Sequence, residues 1–561
     1  MEEKWTFSEL PYERYPVEDY MRDASALLDR FANAATAEEA KAAYLAMNAL
    51  DCKFSEVISI ANIRHDVNTL DPFYDAEGTY WDSNLARLAP LNRRTREVLA
   101  SHPFRKELSE AFGEIIFTTA EANIRLADER LIPDRTEDQL LRSRYAKLTA
   151  GCTTEYMGQP CNFYGLLKFM QDPDRTVREG AFRKWAALYA SIADELDEIY
   201  DRMVALRTHE AKTLGMRDYV EMGYLERQRF AYGEAEVARF REGVKKYIVP
   251  LCQKLREEQR QRIGVDKLRY YDEEFFFPEG NPTPHGTEEE LVAAAQKMYR
   301  QLSPETGEYF DFMVEHRLFD LTSRPGKRMG GYQSSLMEHR APFIFSNFNG
   351  TSADVDVLTH EAGHAFQAYT AARTDLVPEV WHAPIEVCEI HSMSMEHFAY
   401  PYMELFFGDD APRYRRAHLA NAMLSIPYLT MVDEFQHRVY AKPDMTRDER
   451  YAVWKELEAD YLPWRDYDGD PFLEKGGFWM QKQHIFLFPF YYIDYALAQM
   501  GAFDFYLKHL QDPKKAWADY LALCRAGGSV GYFELLRIGN VRSPFDESTV
   551  RDVTEAIAAL L

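Results

Sequence analysis

The sequence predicts a mainly α fold with a small β-sheet beside one functional helix. Three observations point there. Long stretches rich in Ala, Leu, Glu, Lys and Arg carry apolar residues at the helical period. Strand-like runs are few and short, and only one stretch, residues 278–287 (PEGNPTPHGT), has the proline and glycine content of a linker. No self-similar period of the kind that builds a helical solenoid is present.

In chain order, helices are predicted over residues 37–49, 103–126 and 175–214, with Pro103 at a first helical position, where its missing N–H costs nothing. Residues 270–277, rich in aromatics, read as a strand before the linker. Gly330-Gly331-Tyr332 reads as a turn permitting close backbone approach. Residues 342–349 (PFIFSNFN) follow as an edge strand with Phe343, Phe345 and Asn347 on one side. Such an edge can hold an extended peptide by main-chain hydrogen bonds, which makes Gly331, Tyr332, Phe345 and Asn347 candidate substrate-binding residues. Two further helices are expected, one around residue 360 and one over 385–398 (IEVCEIHSMSMEHF). Residues 1–200 are expected to form a helical N-terminal lobe and 201–561 a catalytic lobe, with some interleaving.

At 46% hydrophobic and 14% aromatic, the 561 residues can bury a large core and are not disordered. A net charge of -25 disfavours nucleic acid and anionic membranes as partners. The six cysteines lack C-x-x-C spacing and read as reduced thiols. The first residues have no signal-peptide core, and the longest apolar run, 485–493, is too short to span a bilayer. A soluble cytoplasmic protein is expected, either a monomer or a small homo-oligomer.

His360-Glu361-Ala362-Gly363-His364 is the feature with the most chemistry. Residues four apart share a helix face, so His360 and His364 can present two imidazoles to one metal, with Glu361 in reach of a water molecule. Two helix-surface histidines beside a solvated glutamate are the bland alternative. A third ligand decides between them, because catalytic zinc takes three protein ligands and keeps one position open. The extended metzincin pattern needs glycine and histidine where this chain has Gln367 and Thr370. The second helix instead offers Glu386, Glu389 and Glu396 on one face, one as ligand and another to orient a histidine. Spacing does not choose between Glu386 and Glu389. Asp356, one turn before His360, is a further candidate to hold an imidazole, while Asp354 suits the helix dipole.

Residues 330–369 (GGYQSSLMEHRAPFIFSNFNGTSADVDVLTHEAGHAFQAY), with Glu389-Ile390-His391-Ser392, resemble the oligoendopeptidase F branch of the thimet oligopeptidase and neurolysin family of zinc peptidases. Segments 174–179 (DRTVRE) and 526–529 (AGGS) match as well, and the resemblance runs collinearly from about residue 135 to the C-terminus. Within the family, the chain length and the FPFYYIDYALAQ stretch resemble the Pz-peptidase type of bacilli. The resemblance implies one Zn2+ per chain on His360, His364 and Glu389, with Glu361 as general base; Asp356 and Glu396 keep the supporting roles that helical phase gives them. It implies a two-lobed helical fold whose deep channel admits only short unstructured peptides. A histidine and tyrosines downstream of the zinc helices bind the substrate carbonyl in this family; Tyr495 is the nearest match, followed by Tyr492 and His484. This chain has Phe486-Leu487-Phe488-Pro489-Phe490 where thimet-type members have a glycine-rich loop, so the choice among His484, Tyr491, Tyr492 and Tyr495 stays open.

The expected activity is therefore cleavage of internal bonds in oligopeptides. Two rivals remain: a metallocarboxypeptidase, for which Arg340 or Arg373 could anchor a terminal carboxylate, and a peptide-binding protein without catalysis.

Overall fold

The computed structural model describes residues 5–561. Helix-forming composition and well-placed caps account for most of it. Thr36 accepts from the Glu39 N–H at the start of Ala37–Val67, a helix that runs well past residue 49. Asp174 caps Arg175–Thr213 in the same way. The 103–126 stretch differs from expectation. It forms two helices, Arg105–Phe112 and Ile115–Leu126, because Gly113 takes a positive φ of 93° and ends the first. Pro103 lies in the turn before them.

Two compact units interleave along the chain. The first holds residues up to Ile124, with Pro282–Pro412 and Gly501–Arg542; the second holds Arg125–Asn281, Arg413–Met500 and Ser543–Leu561. A division at residue 200 would cut the continuous helix Arg175–Thr213, whereas the junction at 281–282 lies inside the proline-rich stretch 278–287.

The strand expected over 270–277 is not one. Tyr270–Asp272 is a 3-10 turn, and Gln259 donates to the carbonyls of Asp272, Glu273 and Phe275 at 3.1, 3.0 and 2.9 Å, acceptors that a strand ladder would need. Asp272 is itself fully buried and accepts from Arg178 at 2.9 Å and Arg175 at 2.8 Å.

In the first unit, a three-stranded sheet has the order Phe319–Thr322, Ala341–Phe348, Tyr332–Leu336. The 341–348 strand is thus central, not an edge, pairing parallel with the first and antiparallel with the last. Its continuous apolar run explains the difference, since Phe343, Ile344 and Phe345 are all buried and both of its faces are covered. A hairpin, Thr154–Tyr156 with Gln159–Cys161, went unforeseen. All six cysteines are free, and among the described residues no helix is long and apolar enough to cross a membrane.

Candidate metal centre

The central strand delivers the chain to the helix Ala353–Ala371 through a tight turn. Asp354 holds that turn, its carboxylate accepting from the N–H groups of Asn349 at 2.9 Å and Gly350 at 2.8 Å. Val355, Leu358, Ala362, Ala365 and Phe366 bury one side of the helix, and the His360 and His364 rings stand together with centroids 4.9 Å apart.

Helix Ile385–Phe398 packs directly across the first. Gly363 permits it: a Cβ there would lie 2.6 Å from Ser392 Cα and 2.8 Å from the His391 carbonyl oxygen. Glu389 is thereby brought to the histidines, with Oε2 3.3 Å from His360 Nε2 and 3.5 Å from His364 Nε2. Ser392 Oγ donates to the same oxygen at 3.1 Å. Glu386, the alternative that spacing left open, is buried and outside this group.

The electrostatics follow from burial and pairing. Glu389 is 5% exposed, which pushes its carboxyl up, yet His364 and His360 outweigh this and hold it far below the usual range. Burial disfavours a charged His360, but Glu389 and Glu396 overcome it and raise the imidazole well above its ordinary value. Glu396 Oε1 lies 2.6 Å from His360 Nδ1, so of the two orienting candidates it is Glu396 that takes this nitrogen; Asp356 is half-buried one turn earlier. Burial raises the Glu361 carboxyl above its ordinary value against the pull of both histidines.

Residues remote in sequence brace the second helix. Gln367 Nε2 donates to the Trp381 carbonyl at 2.7 Å, giving the residue that breaks the metzincin pattern a structural task. The Gly528 N–H donates to the Val380 carbonyl at 2.8 Å, and a Cβ on Gly527 or Gly528 would strike the carbonyl oxygens of Val380 or His382. Tyr520 donates to the His391 carbonyl at 2.9 Å.

The expected substrate residues divide. Gly331 is exposed and Tyr332 half-buried at the start of the outer strand, with the Tyr332 hydroxyl donating to Asp66 at 2.8 Å. Phe345 is completely buried, its ring stacked on Tyr332 at 4.9 Å with Lys327 Nζ 4.5 Å from its centroid, so it packs the sheet and cannot meet a substrate. Asn347 Nδ2 donates to the carbonyls of Arg328 at 2.8 Å and Gly330 at 2.7 Å, pinning the turn. Arg373 donates to the Arg340 and Tyr369 carbonyls and stacks 3.4 Å over the Tyr369 ring.

His484, Tyr491, Tyr492 and Tyr495 form one cluster in the second unit. Tyr495 donates to the Tyr491 hydroxyl at 3.2 Å, and the His484 ring lies 4.6 Å from Tyr492 and 5.7 Å from Tyr491. Burial, reinforced by Lys482 and Arg227, lowers the His484 imidazole to about 3. Sequence reasoning missed Gly363 and Ser392 as positioning residues, although a glycine inside a motif helix was itself a signal of close approach.

Comparison with known proteins gives the family of the chain. The peptidase M3 N-terminal domain matches residues 7–127, and peptidase family M3 matches 168–302 and 305–554. A solved structure of Pz peptidase A with an inhibitor is 43% identical, covers 99% of each chain and superposes with a TM-score of 0.93. A solved candidate oligoendopeptidase F is 45% identical over 99% of this chain and 98% of that one, also at 0.93. An oligoendopeptidase F homolog from Borreliella burgdorferi is 25% identical over 258 residues, which is 44% of this chain and 43% of the relative, less than half of its length. With a family match spanning most of the sequence and near-complete structural correspondence, the chain belongs to peptidase family M3, in its oligoendopeptidase F group.

Proposed function

We propose that the chain is a zinc-dependent endopeptidase that hydrolyses internal bonds of short, unstructured peptides. One observation carries the reading. His360, His364 and Glu389 offer three ligand atoms all within 4.8 Å of one another, with His–Glu separations of 3.3 and 3.5 Å. Tetrahedral bonds of about 2.0–2.1 Å place ligand atoms roughly 3.4 Å apart, so two imidazoles and a carboxylate at these spacings fit zinc with one position open. When bound, zinc supplies a Lewis acid that polarises a carbonyl and acidifies water.

The chain's own residues do the rest. Glu361 accepts a proton from the attacking water and returns it to the leaving amine, a task matched by its raised pKa. Glu396 fixes the His360 tautomer so that Nε2 points toward the other ligands. His484, Tyr492 and Tyr495 are assigned to the substrate carbonyl on the family resemblance, supported by their grouping with Tyr491 in one cluster.

The test uses an N- and C-blocked, internally quenched peptide with wild type and Glu361→Gln. Internal cleavage that disappears in a variant retaining full zinc content is the expected result. Absence of cleavage by zinc-loaded wild type overturns the endopeptidase reading, and cleavage only of peptides with a free C-terminus would replace it with a carboxypeptidase.

A further inference from the structure

Arg227 follows the helix Tyr219–Glu226, and Gln228 after it takes a positive φ of 58°, so the chain turns sharply and sends two neighbouring arginines to different fates. Arg229 is buried and paired, its Nη2 donating to Asp494 and to the Phe490 carbonyl, each at 2.5 Å. Arg227 makes no ion pair among the described residues. Its Nη2 is buried without a hydrogen-bond partner, and its guanidinium lies 4.4 Å from the Tyr491 ring centroid. Asp494, whose charge reaches Arg227, is already bonded to Arg229.

Lys482 repeats the pattern. Among the described residues it pairs with no acid, and its Nζ lies 5.0 Å from the Tyr492 ring. His484 feels both cations, and its Nδ1 is buried without a partner. A guanidinium with a buried, unpartnered Nη2 is anomalous in a chain of net charge -25, since a desolvated cation is costly until an anion completes it. The Tyr491 ring holds the guanidinium by a cation–π contact without using its N–H groups, which can then bind a carboxylate. Phe488, 47% exposed and 5.7 Å from the His484 ring, adds an apolar surface for the residue that bears the anion.

We propose that Arg227 and Lys482, beside His484, form a subsite for a carboxylate of the peptide substrate, supplied by its C-terminus or by an acidic side chain. The assignment rests on the peptidase reading above and makes Arg227 a specificity-determining residue.

Matched quenched peptides test it in two arms, C-terminal acid against C-terminal amide and internal Glu against internal Gln. Wild type should favour the charged member of one arm by about tenfold in kcat/KM, carried mainly by KM. The arm showing the preference identifies the source of the carboxylate. Arg227→Met should bring the ratio close to one and Arg227→Lys should retain part of it. If Arg227→Met does not fold, Lys482→Met carries the same comparison. Equal rates in both arms for wild type overturn the proposal, as does a preference that survives the double variant Arg227→Met, Lys482→Met. Binding of the same peptides, followed by fluorescence anisotropy, separates the two readings: wild type that cleaves nothing but binds the charged peptide more tightly, through Arg227, would retain the subsite and lose the peptidase.

Discussion

Glu396 accepts a hydrogen bond from His360 across two helices, Oε1 to Nδ1 at 2.6 Å. That contact leaves Nε2 as the nitrogen turned toward Glu389 and His364. Glu396→Ala frees the ring to rotate and removes the carboxylate that raises its basicity. Zinc affinity should fall by about 10–100-fold, measured by competition with a chromophoric chelator.

Gly363→Ala places a methyl against backbone atoms of Ser392 and His391, which cannot rotate out of its way. Separation of the two helices should cost about 1–3 kcal/mol. It should also draw Glu389 away from the histidines. A lower Tm together with reduced zinc content is expected; a melt and zinc analysis matching wild type would show that the helices do not need this approach.

His484 links stability to pH. Its imidazole titrates near 3 in the folded chain, against 6.5 for an ordinary histidine, because burial opposes the charge and Lys482 and Arg227 repel it. Below pH 6.5 the unfolded chain takes up a proton that the folded chain refuses, so stability is lost as pH falls from about 6.5 toward 3. Unfolding midpoints in urea at pH 7.5 and pH 5 should therefore lie closer together for His484→Gln than for wild type.

Asp272→Asn leaves Arg178, which is 2% exposed, and Arg175 facing a neutral amide inside the second unit. Removing one partner of a buried ion pair costs about 3–5 kcal/mol. Denaturant unfolding should register the loss, while zinc content stays at the wild-type level.

The candidate metal centre was legible where its logic is local. His360 and His364 share a helix face by spacing alone, and the three glutamates of the second helix were visible as candidates. Choosing Glu389 over Glu386 depends on the rotation of one helix against another, which Gly363 and the Ser392 backbone determine and no spacing encodes. Strand order is similarly non-local. Phe319–Thr322 pairs parallel with Ala341–Phe348, past the strand Tyr332–Leu336 that lies between them in sequence, so a run read as an edge is central, and the unbroken Phe343-Ile344-Phe345 was the local sign of it. The 270–277 stretch misled because its aromatics suit a strand, while Gln259, on the preceding helix, takes its carbonyls. Arg227 gave no sequence signal, because only the fold shows that the acid near it, Asp494, is already bonded to Arg229.

Gly527 and Gly528 clasp the carbonyls that precede the Glu389 helix, more than a hundred positions earlier in the chain. A chain emerging from the ribosome N-terminus first exposes His360, His364 and Glu389 long before that clasp exists. On the proposed zinc site, a chain ending before residue 528 would carry all three candidate ligands without the clasp that braces the Glu389 helix.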